Sequence, residues 1–394
     1  MLNILVSIIG ILITILLVVG VHEFGHFLVA KLCGIKVLRF SIGFGKALLR
    51  VHDKSGTEYV LAMLPFGGYV KMLDENEESV PASESHLSYN CQPLYKKFAV
   101  IAAGPLFNLL FAFLIYWLLF VVGFDTFAPI TGKITPNSVA AASGMKSGQE
   151  ILQVDNQDAP KWIAIVINLL ARAGDTDHLT ILTKDLKTLK TQQYQLNLAN
   201  WKMDPLTPDP LESLGIGVYE PVIPNVIGKI LADSPASKAD LAIGDRIIAV
   251  NDVKTPDWKI LVEQIVDKPN NTLAITVLRN HKILNLHVTV GSKSLFGLYA
   301  HGFLGLSPDY VIPDQMLHKN KFGPIDATLP AWEDVKLFTK INFIVLGKML
   351  TGKISLQSLG GPISIFESAG VALNNGLFSF FKFFSFFKYF DWYY

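Results

Sequence analysis

The sequence predicts a multi-pass α-helical membrane protein that also carries a membrane-associated β-hairpin region and two α+β modules. Three observations lead there. Hydrophobic residues make up 51% of the 394 residues and charged residues only 17%, and the mean hydropathy is +0.38, too apolar for an ordinary soluble chain. Two apolar runs, 1–30 and 98–123, are each long enough to cross a hydrocarbon core of about 30 Å. Between Phe124 and Val290 the composition becomes mixed, and one pattern of residues recurs there at a constant offset. The formal net charge of +1 lacks the basic excess of a nucleic-acid-binding chain, so no nucleic-acid partner is expected. Cys33 and Cys91 alone make neither a disulfide framework nor a zinc site.

The first run, 1–30, has no basic start and no small-residue cleavage site before its histidines, so it reads as a retained span rather than a secretion signal. It contains His22, Glu23 and His26 in the spacing His-Glu-x-x-His. On a helix, residues i and i+4 share a face, so His22 and His26 aim two imidazoles at one metal ion, and Glu23 reaches an adjacent water as general base. A pair of chance histidines on a surface helix is the plain alternative. It is disfavoured because no charged residue precedes His22, and each charged group within a span costs about 2.5–3.5 kcal/mol.

Residues 31–97 carry Lys31, Lys36, Arg39, Lys46, Arg50 and further lysines, whereas the stretch before Leu16 carries neither Lys nor Arg. The positive-inside rule then puts 31–97 in the cytoplasm and the N-terminus outside. Within this stretch Ser41–Arg50 and Gly56–Met72 read as β-structure beside the membrane. Gly67, Gly68 and Tyr69 are the candidate edge that pairs with an extended substrate, since a free strand edge binds peptide backbone whatever its sequence. The second span, 98–123, contains Pro105, which frees a carbonyl, and Asn108, a polar side chain in an apolar helix. Asn108 either bonds a neighbouring helix or orients a substrate backbone near the metal, and the spacing leaves both open.

Two modules are expected next, over 124–200 and 214–292. Gly132, Ser138, Ala140, Gly148, Ile151 and Val154 match Gly228, Ser234, Ala236, Gly244, Ile247 and Val250 in constant register. An amphipathic helix over 331–352 carries Lys336, Lys340 and Lys348 among apolar residues and is expected at the membrane interface. The aromatic segment 372–394 reads as a truncated third span.

Taken together these motifs resemble the RseP-type site-2 proteases, bacterial intramembrane zinc metalloproteases with two PDZ domains. The resemblance rests on HEFGH at His22–His26, LPFGGYVKMLDE at Leu64–Glu75, AAGPLFN at Ala102–Asn108, the repeated modules and LGGPISIF at Leu359–Phe366. It implies Zn2+ as cofactor and residence in the bacterial inner membrane, with the PDZ domains periplasmic and able to hold chain ends. The implied substrate is a membrane-spanning protein, such as an anti-sigma factor or a remnant signal peptide. The family draws a third zinc ligand from a Leu-Asp-Gly motif on a late span, and that motif is absent from this sequence. The expectation is therefore a chain truncated before the motif, by a slipped reading frame or otherwise. Asp391 is the nearest carboxylate, and zinc would be held loosely. The alternative function is a catalytically inactive homologue that acts only as a PDZ-bearing membrane binding protein.

The topology is testable directly. Single cysteines introduced at Ser79 and at Asn251 should react with an impermeant thiol reagent from opposite sides of the membrane. Reaction of both from one side would overturn the charge-based orientation.

Overall fold

The structure is a computed structural model that describes residues 2–77, 79–295, 299–355 and 357. The expected third span over 372–394, the segment Leu359–Phe366 and Asp391 lie outside those residues.

Two long helices, α1 (Leu2–Leu32) and α2 (Leu94–Val122), form where uninterrupted apolar sequence leaves the backbone no better partner than itself. Both are long and apolar enough to cross a membrane, over Leu12–Leu32 and Leu94–Val122. Pro105 lies inside α2, which starts after Pro93 and ends at Gly123, whose N–H donates to the Leu119 carbonyl at 2.8 Å. The helices meet through small residues. A Cβ on Gly25 would stand 2.6 Å from the Ala103 carbonyl oxygen and 2.9 Å from the Phe107 side chain. Such closeness between backbones is how spanning helices gain packing when lipid is as apolar as their side chains.

Strands β1 (Val37–His52) and β2 (Glu58–Met72) follow α1. Each folds back on itself. Residues 58–61 pair with 49–52 on one side and with 39–42 on the other, and 39–42 in turn pair with 68–71. The sheet therefore has 49–52 at one edge and 68–71 at the other. The reversal in β1 is made at Gly43, with φ +93°, where a side chain would press on the carbonyls of Ala62 and Leu64. The near half packs against α1 through Phe27, Phe40, Tyr59 and Val70. The far half leaves Leu48, Leu49, Val51 and Met63 exposed. Asp53, in the turn between the strands, accepts from Lys31 at 2.8 Å and from the Ser55 and Thr57 amides at 2.9 Å, tying the hairpin to the end of α1.

Beyond α2 the chain forms two α+β modules, each built on a four-stranded antiparallel sheet and sharing one element order up to the last strand of that sheet. The repeated serines have one job in both: Ser138 caps a short helix by accepting from the Ala141 amide, and Ser234 does so from Ser237. Both modules run further along the chain than 124–200 and 214–292. In the first, Thr131–Ile134 pairs with Ile216–Val218, and Leu211, Leu214 and Ile216 are core residues. In the second, Ile227–Ile230 pairs with Leu306–Pro308, and Leu304 is buried in its core. The closing strand arrives only after a linker, so a boundary drawn from local periodicity stops short of it.

The helix Thr328–Leu350 lies where 331–352 was expected, but it has a protein partner. Leu337, Ile341 and Val345 pack on the core of the first module, and Asp334 pairs with Lys161 at 2.7 Å. A second stripe, with Leu329, Trp332, Phe343 and Leu350, remains exposed. Just ahead of this helix, Leu317–Asn320 pairs antiparallel with Phe124–Phe127, the strand that follows α2.

His318, in that returning strand, has its Nε2 3.0 Å from Glu150 of the first module. The hydrogen bond to the carboxylate raises the His318 pKa above the ordinary 6.5. A raised histidine contributes stability in full below the unfolded value and loses it as pH climbs through the folded one. His318→Gln should therefore lower the melting temperature of the protein more at pH 5.5 than at pH 8.5. An equal loss at both would show that the contact carries no charge.

Candidate metal centre

One face of α1 meets one face of α2 at the histidines. One helical turn apart, His22 and His26 bring their Nε2 atoms to 3.2 Å, with ring centroids 4.8 Å apart and planes at 79°. Residues 100, 104 and 108 of α2 recur at the same helical spacing, and all three touch the pair. The Nδ1 of His26 donates to the Val100 carbonyl at 2.6 Å. A carbonyl only accepts, so that bond fixes the proton on Nδ1 and leaves the His26 Nε2 lone pair free. The Nδ1 of His22 is 3.2 Å from the side-chain amide of Asn108.

Gly104 lies between these two contacts, and a Cβ there would stand 2.7 Å from His22 Nε2 and would also press on His26 Nε2. The absence of a side chain at 104 thus keeps open the point on which both Nε2 atoms converge. Two nitrogens held about 2.0–2.1 Å from one tetrahedral zinc are about 3.3 Å apart. The observed 3.2 Å matches that spacing, and the imidazole donor set suits the ion. Among the described residues no three His, Cys, Asp or Glu side chains converge on one point, so the pair offers two nitrogens where a catalytic zinc takes three protein ligands.

Glu23, one residue along α1, faces the sheet. A Cβ on Gly68 would come within 2.9 Å of the Glu23 side chain and 3.2 Å of Val19, so the edge segment 68–71 runs directly past Glu23. On its outer side this segment has no strand partner among the described residues. Gly67 lies against the Phe44 ring, and Phe44 stacks on Tyr69 with centroids 6.1 Å apart. The Tyr69 hydroxyl accepts from Arg39 Nη1 at 3.1 Å, so its side chain braces the sheet.

The structure thus brings together His22, His26, Glu23, Gly68 and Asn108, with Gly67 and Tyr69 as supports of the edge. Spacing in the sequence does not single out Gly104, Gly25 or the Val100 carbonyl. A glycine between Ala103 and Pro105 inside an apolar helix is the available signal for the first of these.

A family model described as Peptidase family M50 matches residues 10–390. The chain is 39% identical over 378 residues to the regulator of sigma-E protease RseP of Salmonella typhimurium, covering 96% of this chain and 84% of that one. It is 35% identical over 382 residues to a putative zinc metalloprotease of Vibrio cholerae, again covering 96% and 84%. A solved PDZ domain of an SdrC-like protein from Listeria monocytogenes matches 23% of this chain and 94% of its own at 16% identity. Its TM-score of 0.20 is too low to carry an argument.

Gly104→Ala places a methyl group between the imidazoles. The expected outcome is a helical fold unchanged by circular dichroism together with a marked loss of zinc affinity in chelator competition. Full affinity in this variant would mean that the convergence point is not the metal position.

Proposed function

The chain belongs to peptidase family M50, and we propose that it is a zinc-dependent intramembrane endopeptidase that cuts a transmembrane segment of another protein. The observation that supports this most is the convergence of two imidazole Nε2 atoms beside a glutamate that borders an unpaired strand edge. His22 and His26 would hold the ion, which when bound polarises a carbonyl and makes water a stronger nucleophile. Glu23 takes the proton of the attacking water on its carboxylate and returns it to the departing amide nitrogen. The edge at Gly67, Gly68 and Tyr69 receives the substrate as an added strand, which unwinds it and lays its backbone past Glu23. The exposed apolar half of the hairpin then rests in lipid, consistent with the long apolar helix beside it.

Relatives named for sigma-E regulation support our reading of the substrate as a membrane-spanning protein, such as an anti-sigma factor or a remnant signal peptide. The basic excess of 31–97 supports an inner-membrane placement with that segment cytoplasmic and both modules periplasmic. We read the modules as PDZ domains that hold periplasmic chain ends, in keeping with the repeated register and the late closing strand. The helix Thr328–Leu350 is assigned to the membrane interface through its exposed stripe. A binding-only role has one observation in its favour, the two-ligand set among the described residues.

One experiment separates these readings: zinc content and cleavage of a tagged transmembrane peptide by the purified protein in detergent. Glu23→Gln should keep the zinc and lower cleavage by about 10²–10⁴-fold, the usual share of general acid–base catalysis. Gly68→Pro, which removes an edge donor, should also lower cleavage with zinc retained. Protein purified without zinc would favour the binding-only role, and cleavage indifferent to Glu23 would overturn the mechanism.

A further inference from the structure

Asn108 Nδ2 stands 3.2 Å from His22 Nδ1, while Asn108 Oδ1 is buried with no hydrogen-bond partner. A half-turn of an amide exchanges oxygen for nitrogen at nearly the same positions, and the two orientations have opposite chemical meaning for the ring. With Nδ2 toward the ring, His22 Nδ1 must accept, so the ring proton sits on Nε2 and points at His26. Only one of the two histidines then offers a lone pair at the convergence point. With Oδ1 toward the ring, Nδ1 carries the proton and donates it to the amide, and both Nε2 lone pairs face the same point. The second orientation pairs the buried oxygen and leaves the amide N–H groups unpaired in its place, so what separates the two is the tautomer each imposes on His22.

We propose that Asn108 is a positioning residue for the metal: its Oδ1 accepts the His22 Nδ1 proton and so fixes the tautomer that makes His22 a ligand. Asn108 then does for His22 what the Val100 carbonyl does for His26. Its place eight residues along α2 from Val100 puts the two acceptors two turns apart, on either side of Gly104. Neither acceptor carries charge, so the pair is oriented without a second ionised group in an apolar helix. This rests on the zinc reading above and assigns Asn108 to the ring rather than to substrate.

The test is zinc affinity of the full chain in detergent by chelator competition, with folding followed by circular dichroism. Asn108→Leu removes the acceptor at similar size and should weaken zinc about 10–100-fold, the usual cost of a lost partner behind a metal ligand. Asn108→Asp offers only acceptor oxygens and should bind zinc at least as tightly as the unmodified chain. In a His22→Ala background, Asn108→Leu should change affinity no further, since the ring it orients is gone. If the leucine variant fails to fold, Asn108→Ala tests the same loss, and the aspartate variant must still bind. Unchanged affinity in the leucine or alanine variant, or a loss in the aspartate variant as large as theirs, overturns the proposal and leaves the zinc reading standing. An unmodified chain that binds no zinc overturns both.

Discussion

The site depends on the close approach of two helices. Because Gly25 and Gly104 carry no side chains, the backbones of α1 and α2 come near enough for α2 to reach both imidazoles from one face. A carbonyl is available to His26, an amide to His22, and a space between them that a methyl group would close. For His26, one contact with a carbonyl settles both ring orientation and tautomer.

The sheet adds the second wall of the candidate site. Its edge segment at 68–71 is held in place by the pairing of 39–42 behind it and by Arg39, which bridges the Glu58 carboxylate and the Tyr69 hydroxyl. At Gly68 this edge lies against α1, and the lack of a side chain there lets backbone and glutamate share one small space. Glu23 and the edge at 68–71 thus come from separate stretches of sequence, and the turn at Asp53 ties the hairpin to Lys31 at the end of α1.

Much of this was legible in the sequence, and the reasons differ by element. The histidines, the glutamate and the apolar helices could be read because helical spacing and hydrophobicity are local properties. The repeat could be read because its serines and glycines perform the same cap and turn twice. The closing strands of the modules could not, because Ile216–Val218 and Leu306–Pro308 are short and take their strand character from distant partners. The role of Gly104 was hidden for a similar reason: a glycine in a helix costs stability locally, and what offsets that cost lies on another helix. For the helix Thr328–Leu350, sequence gives no measure of whether the partner of an apolar stripe is lipid or protein. Here one stripe is claimed by the first module.

The pairing of Phe124–Phe127 with Leu317–Asn320 gives the modules a particular standing in the chain. The polypeptide leaves the helix pair and comes back to it through neighbouring strands, so everything between them is an insertion whose two ends are already joined. The entropy of closing such a loop grows only with the logarithm of its length, about 0.6 kcal/mol for each doubling. The helix pair is therefore nearly indifferent to how much sequence the insertion holds. Duplicating a module within it, or exchanging one for another, is a change the two helices would scarcely register as long as the paired strands remain.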